Sequence, residues 1–111
     1  MPEKRIPTVA IVTFPAAADL DNRALRHLLE TAGADYINVP GLRRKYFLSG
    51  DGLGGGVYEW DCRASADAFY DDAWFATMRE RSGATPDVRF FDSPAIADGI
   101  EHRLDIFLPN G

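Results

Sequence analysis

The chain carries one cysteine, Cys62, and two histidines, His27 and His102, in 111 residues. A lone cysteine cannot close an internal disulfide, which fits a reducing cytoplasm. Two scattered histidines and one thiol do not supply the four ligands of a structural zinc site, so no metal is expected. Basic residues are also short, at 12 Lys plus Arg against 17 Asp plus Glu, a formal charge of −5. Nucleic acids and anionic membrane surfaces both call for a basic face, so neither is an expected partner. No run approaches the roughly 18 uninterrupted apolar residues of a membrane span. Pro2, Glu3, Lys4, Arg5 and Pro7 open the chain with no apolar export segment behind them. There is no internal repeat and no low-complexity tract.

What remains is a chain that is 46% hydrophobic and 12% aromatic, the composition of a packed globule. Its length allows one core and one domain, residues 1–111. Thr8 to Phe14 reads as a first strand stopped by Pro15, with Val9 and Ile11 on one face and Ala10, Val12 and Phe14 on the other. Asp19 or Asp21 can cap a helix over about residues 20–34. Leu25, Leu28, Leu29, Ala32 and Tyr36 recur at helical spacing as its buried stripe, and Gly33 is its stop. Leu42 to Ser49 and Gly55 to Asp61 form two strands joined by the turn Gly50-Asp51-Gly52. Ser65 can cap a second helical region, interrupted near Asp71-Asp72 and ended by Gly83. Asp87 to Asp92 is a fourth strand closed by Pro94.

The order β-α-β-β-α-β predicts an α+β, ferredoxin-like split βαββαβ with an antiparallel sheet. In so short a chain both helical regions must share one face. The strands are apolar on both, and a bare apolar sheet face calls for a cover. A second copy packed sheet to sheet is the simplest one, so a homodimer is expected. Ile100, Leu104, Ile106, Phe107 and Leu108 are too apolar for a free end. Residues 95–111 are therefore expected to pack across something, the dimer interface first, beyond a core of about residues 8–94.

From Gly41 to Pro94 the chain resembles a known family, the YdhR-type monooxygenases of the dimeric α+β barrel group, which also includes antibiotic-biosynthesis monooxygenases. The likeness is carried by Gly41-Leu42, Lys45-Tyr46-Phe47-Leu48 and Gly55-Gly56-Val57-Tyr58-Glu59-Trp60. It continues through Ala64-Ser65-Ala66-Asp67-Ala68-Phe69-Tyr70, Trp74 and Gly83-Ala84-Thr85-Pro86. It implies a dimer that oxidises phenols or hydroquinones with O₂, without flavin or metal. Haem-degrading relatives use a histidine in the second helical region, and residues 65–82 contain none. A shared fold does not establish shared chemistry, so two further functions stay open. One is a non-catalytic binder of small hydrophobic molecules, and the other is an isomerase or cyclase.

Several motifs have plainer explanations. Gly50-Asp51-Gly52-Leu53-Gly54-Gly55 matches a dinucleotide fingerprint in form, but it joins two strands where that motif must open a helix. His27 falls about 200° from Leu25 on the helix, at roughly 100° per residue, and so faces solvent. Cys62 reads as a small buried hydrophobe. Ser49, Ser65, Ser82 and Ser93 occupy caps or turns, with no nucleophile elbow.

Arg43, Arg44 and Lys45 are the one basic cluster, and each can pair with Glu59 or Asp61 or else await an anionic ligand oxygen. Tyr58 and Trp60 share a strand face. Arg44 meets them if it lies opposite Trp60, and a one-residue slip presents Lys45. The resemblance favours Lys45, because the family's strand carries a lysine there. The candidate catalytic set is thus Lys45, Tyr58 and Trp60. Lys45 or Arg44 would stabilise an anion, Tyr58 or Tyr70 would relay a proton, and Trp60, Trp74 and Phe90 would form walls. Tyr36, Arg44, Tyr46, Tyr70, Trp74 and Phe90 are the candidate ligand-binding residues for a small aromatic molecule.

Overall fold

The computed structural model describes residues 5–16 and 21–109. Along the chain run β1 (Thr8–Pro15), α1 (Asn22–Ala34), β2 (Leu42–Gly50), β3 (Leu53–Trp60), α2 (Arg63–Phe69), α3 (Asp72–Ser82), β4 (Asp87–Asp92), β5 (Ala95–Asp98) and β6 (Arg103–Ile106). The first four named strands form an antiparallel sheet in the order β2-β3-β1-β4, the ferredoxin-like arrangement. The fold is α+β, with three helices.

Local chemistry accounts for most of the boundaries. The Asp21 carboxylate accepts the Ala24 N–H at 2.8 Å and starts α1, while the alternative cap Asp19 lies outside the described residues. Asp71 does the same for α3 through Trp74 N–H at 2.8 Å. Gly83 closes α3 at φ 77, in the left-handed region where a side chain is disfavoured. Asp51 and Gly52, at φ 52 and 74, form the two-residue turn between β2 and β3. Two successive positive φ values match the twist of a tight hairpin. Ser65 does not cap a helix: α2 begins at Arg63 behind Cys62, and Ser65 lies inside it.

The sheet's even face, made by Thr8, Ala10 and Val12 of β1, is buried, and Tyr58 and Trp60 of β3 extend it. Ala66 of α2 and Tyr70 pack against it to form the core. The stripe of α1 is not buried as periodicity predicts. No residue of α1 is fully buried, and Leu28 is 51% exposed. The reason is that Leu28, Leu29 and Ala32 border a cavity instead of packing into solid core.

The opposite face carries Val9, Ile11, Val57 and Phe91. Phe91 on the β4 edge is 51% exposed and Tyr46 on the opposite β2 edge is 56% exposed. Residues 95–106 form a separate hairpin, β5 against β6, which leaves Ile100, Leu104 and Ile106 exposed.

Candidate functional site

Pairing between β2 and β3 decides which cation meets the aromatic rings. Leu42 lies opposite Trp60, the register then shifts, and Arg44 lies opposite Glu59 with Lys45 opposite Tyr58. Arg43 is the extra residue of a bulge, and that single insertion flips every side chain after it to the other face. Lys45 therefore joins Tyr58 on the helix side, while Arg44 and Tyr46 point to the open side.

The Lys45 ammonium sits 3.5 Å from the Tyr36 ring centroid, 4.0 Å from Phe47 and 4.6 Å from Tyr58. Three aromatic faces are a favourable setting for a cation. They do not replace water, and burial lowers the Lys45 pKa from 10.5 to about 7. Among the described residues no carboxylate pairs with it. Its stem crosses the sheet above Gly56, where an added Cβ would lie 2.7 Å from the Lys45 Cε. Gly56 is what lets the chain of Lys45 lie flat there.

Lys45, Tyr36 and Tyr58 border a cavity of about 520 Å³ between sheet and helices. Phe14, Pro15, Phe47 and Gly55 complete the sheet side; Leu28, Leu29 and Ala32 of α1 and Met78, Arg81 and Ser82 of α3 form the rest. The walls are mainly apolar, and the size suits a small organic ligand. Burial, together with the neighbouring Tyr36 and Tyr70 hydroxyls, drives the Tyr58 phenol well above the ordinary tyrosine range. Tyr58 is thus a hydrogen-bond donor at neutral pH and not a base.

The remaining candidates divide into two groups. Trp60, Tyr70, Trp74 and Phe90 are together, but beside the cavity and not around it. Trp60 Nε1–H donates to the Tyr70 hydroxyl at 3.1 Å in a buried bond. Tyr70 meets Trp74 and Phe90 edge-on at centroid distances of 4.8 and 5.6 Å. These rings support the floor on which Tyr58 lies, stacked with Trp60 at 6.1 Å.

Arg44 and Tyr46 belong to the opposite face, where Arg44 donates to the Tyr46 hydroxyl at 3.4 Å and pairs with Glu59 at 3.4 Å. They border a larger groove, about 770 Å³, between β2–β3 and the β5–β6 hairpin. Its charges largely answer one another: Arg43 with Glu59, Arg5 with Asp61 and Arg103 with Asp105. The smaller cavity, with its unanswered amine, is the stronger candidate.

His27 and His102 are exposed, and no group of three or more potential metal ligands occurs among the described residues. No helix among them is long and apolar enough to cross a membrane. Phe14, Phe47, Met78 and Arg81 border the cavity without having been expected at the site. Phe14 and Phe47 share the parity of Val12 and Lys45 and so were placeable once the register was known.

Fold and cavity together define a ferredoxin-like α+β domain with an apolar, lysine-bearing chamber between sheet and helices. Among solved structures it is similar to a monooxygenase from the gene ActVA-Orf6 of Streptomyces coelicolor, in complex with the ligand nanaomycin D. The TM-score is 0.58 at 21% sequence identity, over 80% of this chain and 88% of that one. No family model matches the chain, and no curated protein does. At that identity the likeness establishes the fold.

Proposed function

We propose that this chain is a cofactor-independent monooxygenase of the YdhR-type group, acting on a small phenol or hydroquinone in the 520 Å³ cavity. The observation that carries this reading is the unpaired Lys45 amine, held against three rings in an apolar chamber. With a pKa of about 7, it can take a phenolic proton near neutrality and then face the phenolate as an ammonium. The phenolate reduces O₂; one oxygen atom becomes a new ring carbonyl and the other leaves as water with two substrate hydrogens. One phenol and one O₂ thus give one quinone and one water, so no outside reductant enters. The mainly apolar walls limit the water that would intercept the intermediate. The fold of ActVA-Orf6 supports the assignment by likeness of architecture, and the strand motif around Lys45 supports the YdhR-type branch.

The working unit in this reading is a cytoplasmic homodimer. Val9, Ile11 and Val57 leave an apolar strip on the open face, and Phe91 extends it. A second sheet is its cover, with residues 95–111 beside it.

Oxygen uptake by the purified protein, across a panel of phenols, hydroquinones and anthrones, tests the chemistry. Uptake above the uncatalysed rate should fall at least roughly tenfold in Lys45→Met, as expected for loss of a positioned base. It should also rise with pH through about 7, where the Lys45 amine becomes neutral. Unchanged turnover in Lys45→Met overturns the assignment of Lys45. Binding of panel compounds with no uptake from any of them establishes the non-catalytic binder instead.

A further inference from the structure

We infer that the cavity is built for an aromatic carboxylic acid, with the carboxylate gripped by Arg81 at the α3 wall while a phenol on the same molecule meets Lys45 on the sheet. This rests on the cavity being the substrate chamber, and it does not depend on the oxygen chemistry.

The argument is a charge inventory. The whole chain is acidic, at −5. The cavity is the reverse: Lys45 and Arg81 border it, and no Asp or Glu does. Elsewhere seven arginines are answered by an acid, in ion pairs running from Arg5–Asp61 to Arg103–Asp105, while Arg23 and Arg79 have no such pair among the described residues and do not border the cavity. Neither Arg81 nor Lys45 has such a partner among the described residues. For the half-buried Lys45 an uncompensated charge facing apolar walls is costly unless something anionic arrives, and the exposed Arg81 is free to meet an anion at the same cavity.

A structural explanation of Arg81 exists and is insufficient. Cations in the last turn of a helix are favoured by its dipole, and Arg79 and Arg81 both occupy the last turn of α3. The dipole gives no reason for one of them to border the chamber, nor for carboxylates to be missing around it.

The two cations then have separate tasks. A guanidinium stays charged at every physiological pH and offers a planar fork that fits a carboxylate. Arg81 is therefore the fixed reader of the acid. The Lys45 amine, which changes protonation near neutrality, suits the phenol. Leu28, Leu29 and Met78 border the same cavity and supply apolar walls for an aromatic body.

The test uses 6-hydroxy-2-naphthoic acid and its methyl ester, with binding followed by tryptophan quenching at low and high salt. The wild-type protein should bind the acid roughly ten- to a hundredfold more tightly than the ester, the range of one charge-assisted hydrogen-bonded contact. Salt should narrow that ratio, because Arg81 is exposed enough to be screened. Arg81→Gln should bring the acid down to the ester's affinity and leave the ester unchanged, while Arg81→Lys keeps part of the preference. Equal affinities in the wild type, a preference that survives Arg81→Gln, or no binding of either probe at millimolar concentration each overturns the inference. Acid preference without oxygen uptake from any compound sinks the monooxygenase reading and leaves this one standing. Uptake indifferent to the carboxylate does the reverse.

Discussion

The helix-facing side of the sheet has two halves that differ in how they are filled. At one end Tyr58 and Trp60 of β3 rise into α2 and are 1% and 0% exposed. At the other end the same strand places Gly54 and Gly56 on the same face, opposite Phe14 and Val12. Two side chains are missing there, and the cavity lies over the gap. A strand that changes from glycine to aromatic in four residues makes solid core at one end and a chamber at the other. The chamber is thus inherited from what β3 omits, and Lys45 occupies part of the omitted volume.

The largest expected effect separates the halves directly. Trp60→Ala should lower stability by about 3–5 kcal/mol, through lost burial and a void that the surrounding rings cannot collapse into. Phe47→Ala, at a ring that is 41% exposed on the cavity, should cost only about 1 kcal/mol. Urea midpoints at unchanged m-value give both numbers. Equal costs would mean that the cavity half is packed core after all.

The next effect fills the gap. Gly56→Val puts a Cβ about where the Lys45 stem lies and 3.1 Å from the Tyr46 carbonyl oxygen. Overpacking of this kind should cost about 1–3 kcal/mol. It should also abolish binding of aromatic probes, because the displaced lysine takes the chamber's space. Gly50→Ala is the control, since nothing lies within 4 Å of a Cβ there, and it should stay within about 0.5 kcal/mol of wild type. If Gly56→Val binds probes normally, the gap over β3 is not the ligand site.

Much of this architecture was legible in the chain, because local rules and global fold agree there. The Asp51-Gly52 turn, the break at Asp71 and the Gly83 stop each follow from one residue's conformational preference, and together they give the strand order. The site was less legible for identifiable reasons. The bulge at Arg43 leaves no mark in residue type, yet it decides between Arg44 and Lys45. The sequence marks Gly55 and Gly56 only as the start of a strand and Gly54 as part of the link before it, whereas Gly55 borders the cavity and Gly54 and Gly56 lie under Phe14 and Lys45, which border it too. Of the three, Gly55 alone is held by backbone geometry: at φ 146 its added Cβ would collide with the Val12 carbonyl. Arg81 looks like any surface charge until the cavity beside it is seen to hold no acid. Apolar spacing on α1 marked Leu28 and Leu29 correctly as inward-facing, but periodicity does not distinguish a wall from a core.

The smallest effect is a slope, and it tests whether Lys45 belongs to the dry half or the wet one. Its folded pKa of about 7 lies below the ordinary 10.5, so between those values the unfolded chain holds a proton that the folded chain lacks. Stability must then rise with pH across that window and be flat below about 7, where both states are protonated. The ceiling is about 1.4 kcal/mol per pH unit, and partial solvation through the open cavity should hold the slope under about 1. Readings should stop near pH 10. Above that, Tyr58 and Tyr70, whose phenols burial drives upward, stay protonated only in the folded state and pull stability down again. Urea titrations at pH 7, 8 and 9 should therefore show wild type gaining stability and Lys45→Met remaining level. A wild type as level as the variant would mean that water reaches the ammonium freely, and a hydrated lysine at that position stays protonated near neutrality and cannot take the proton that the proposed chemistry requires.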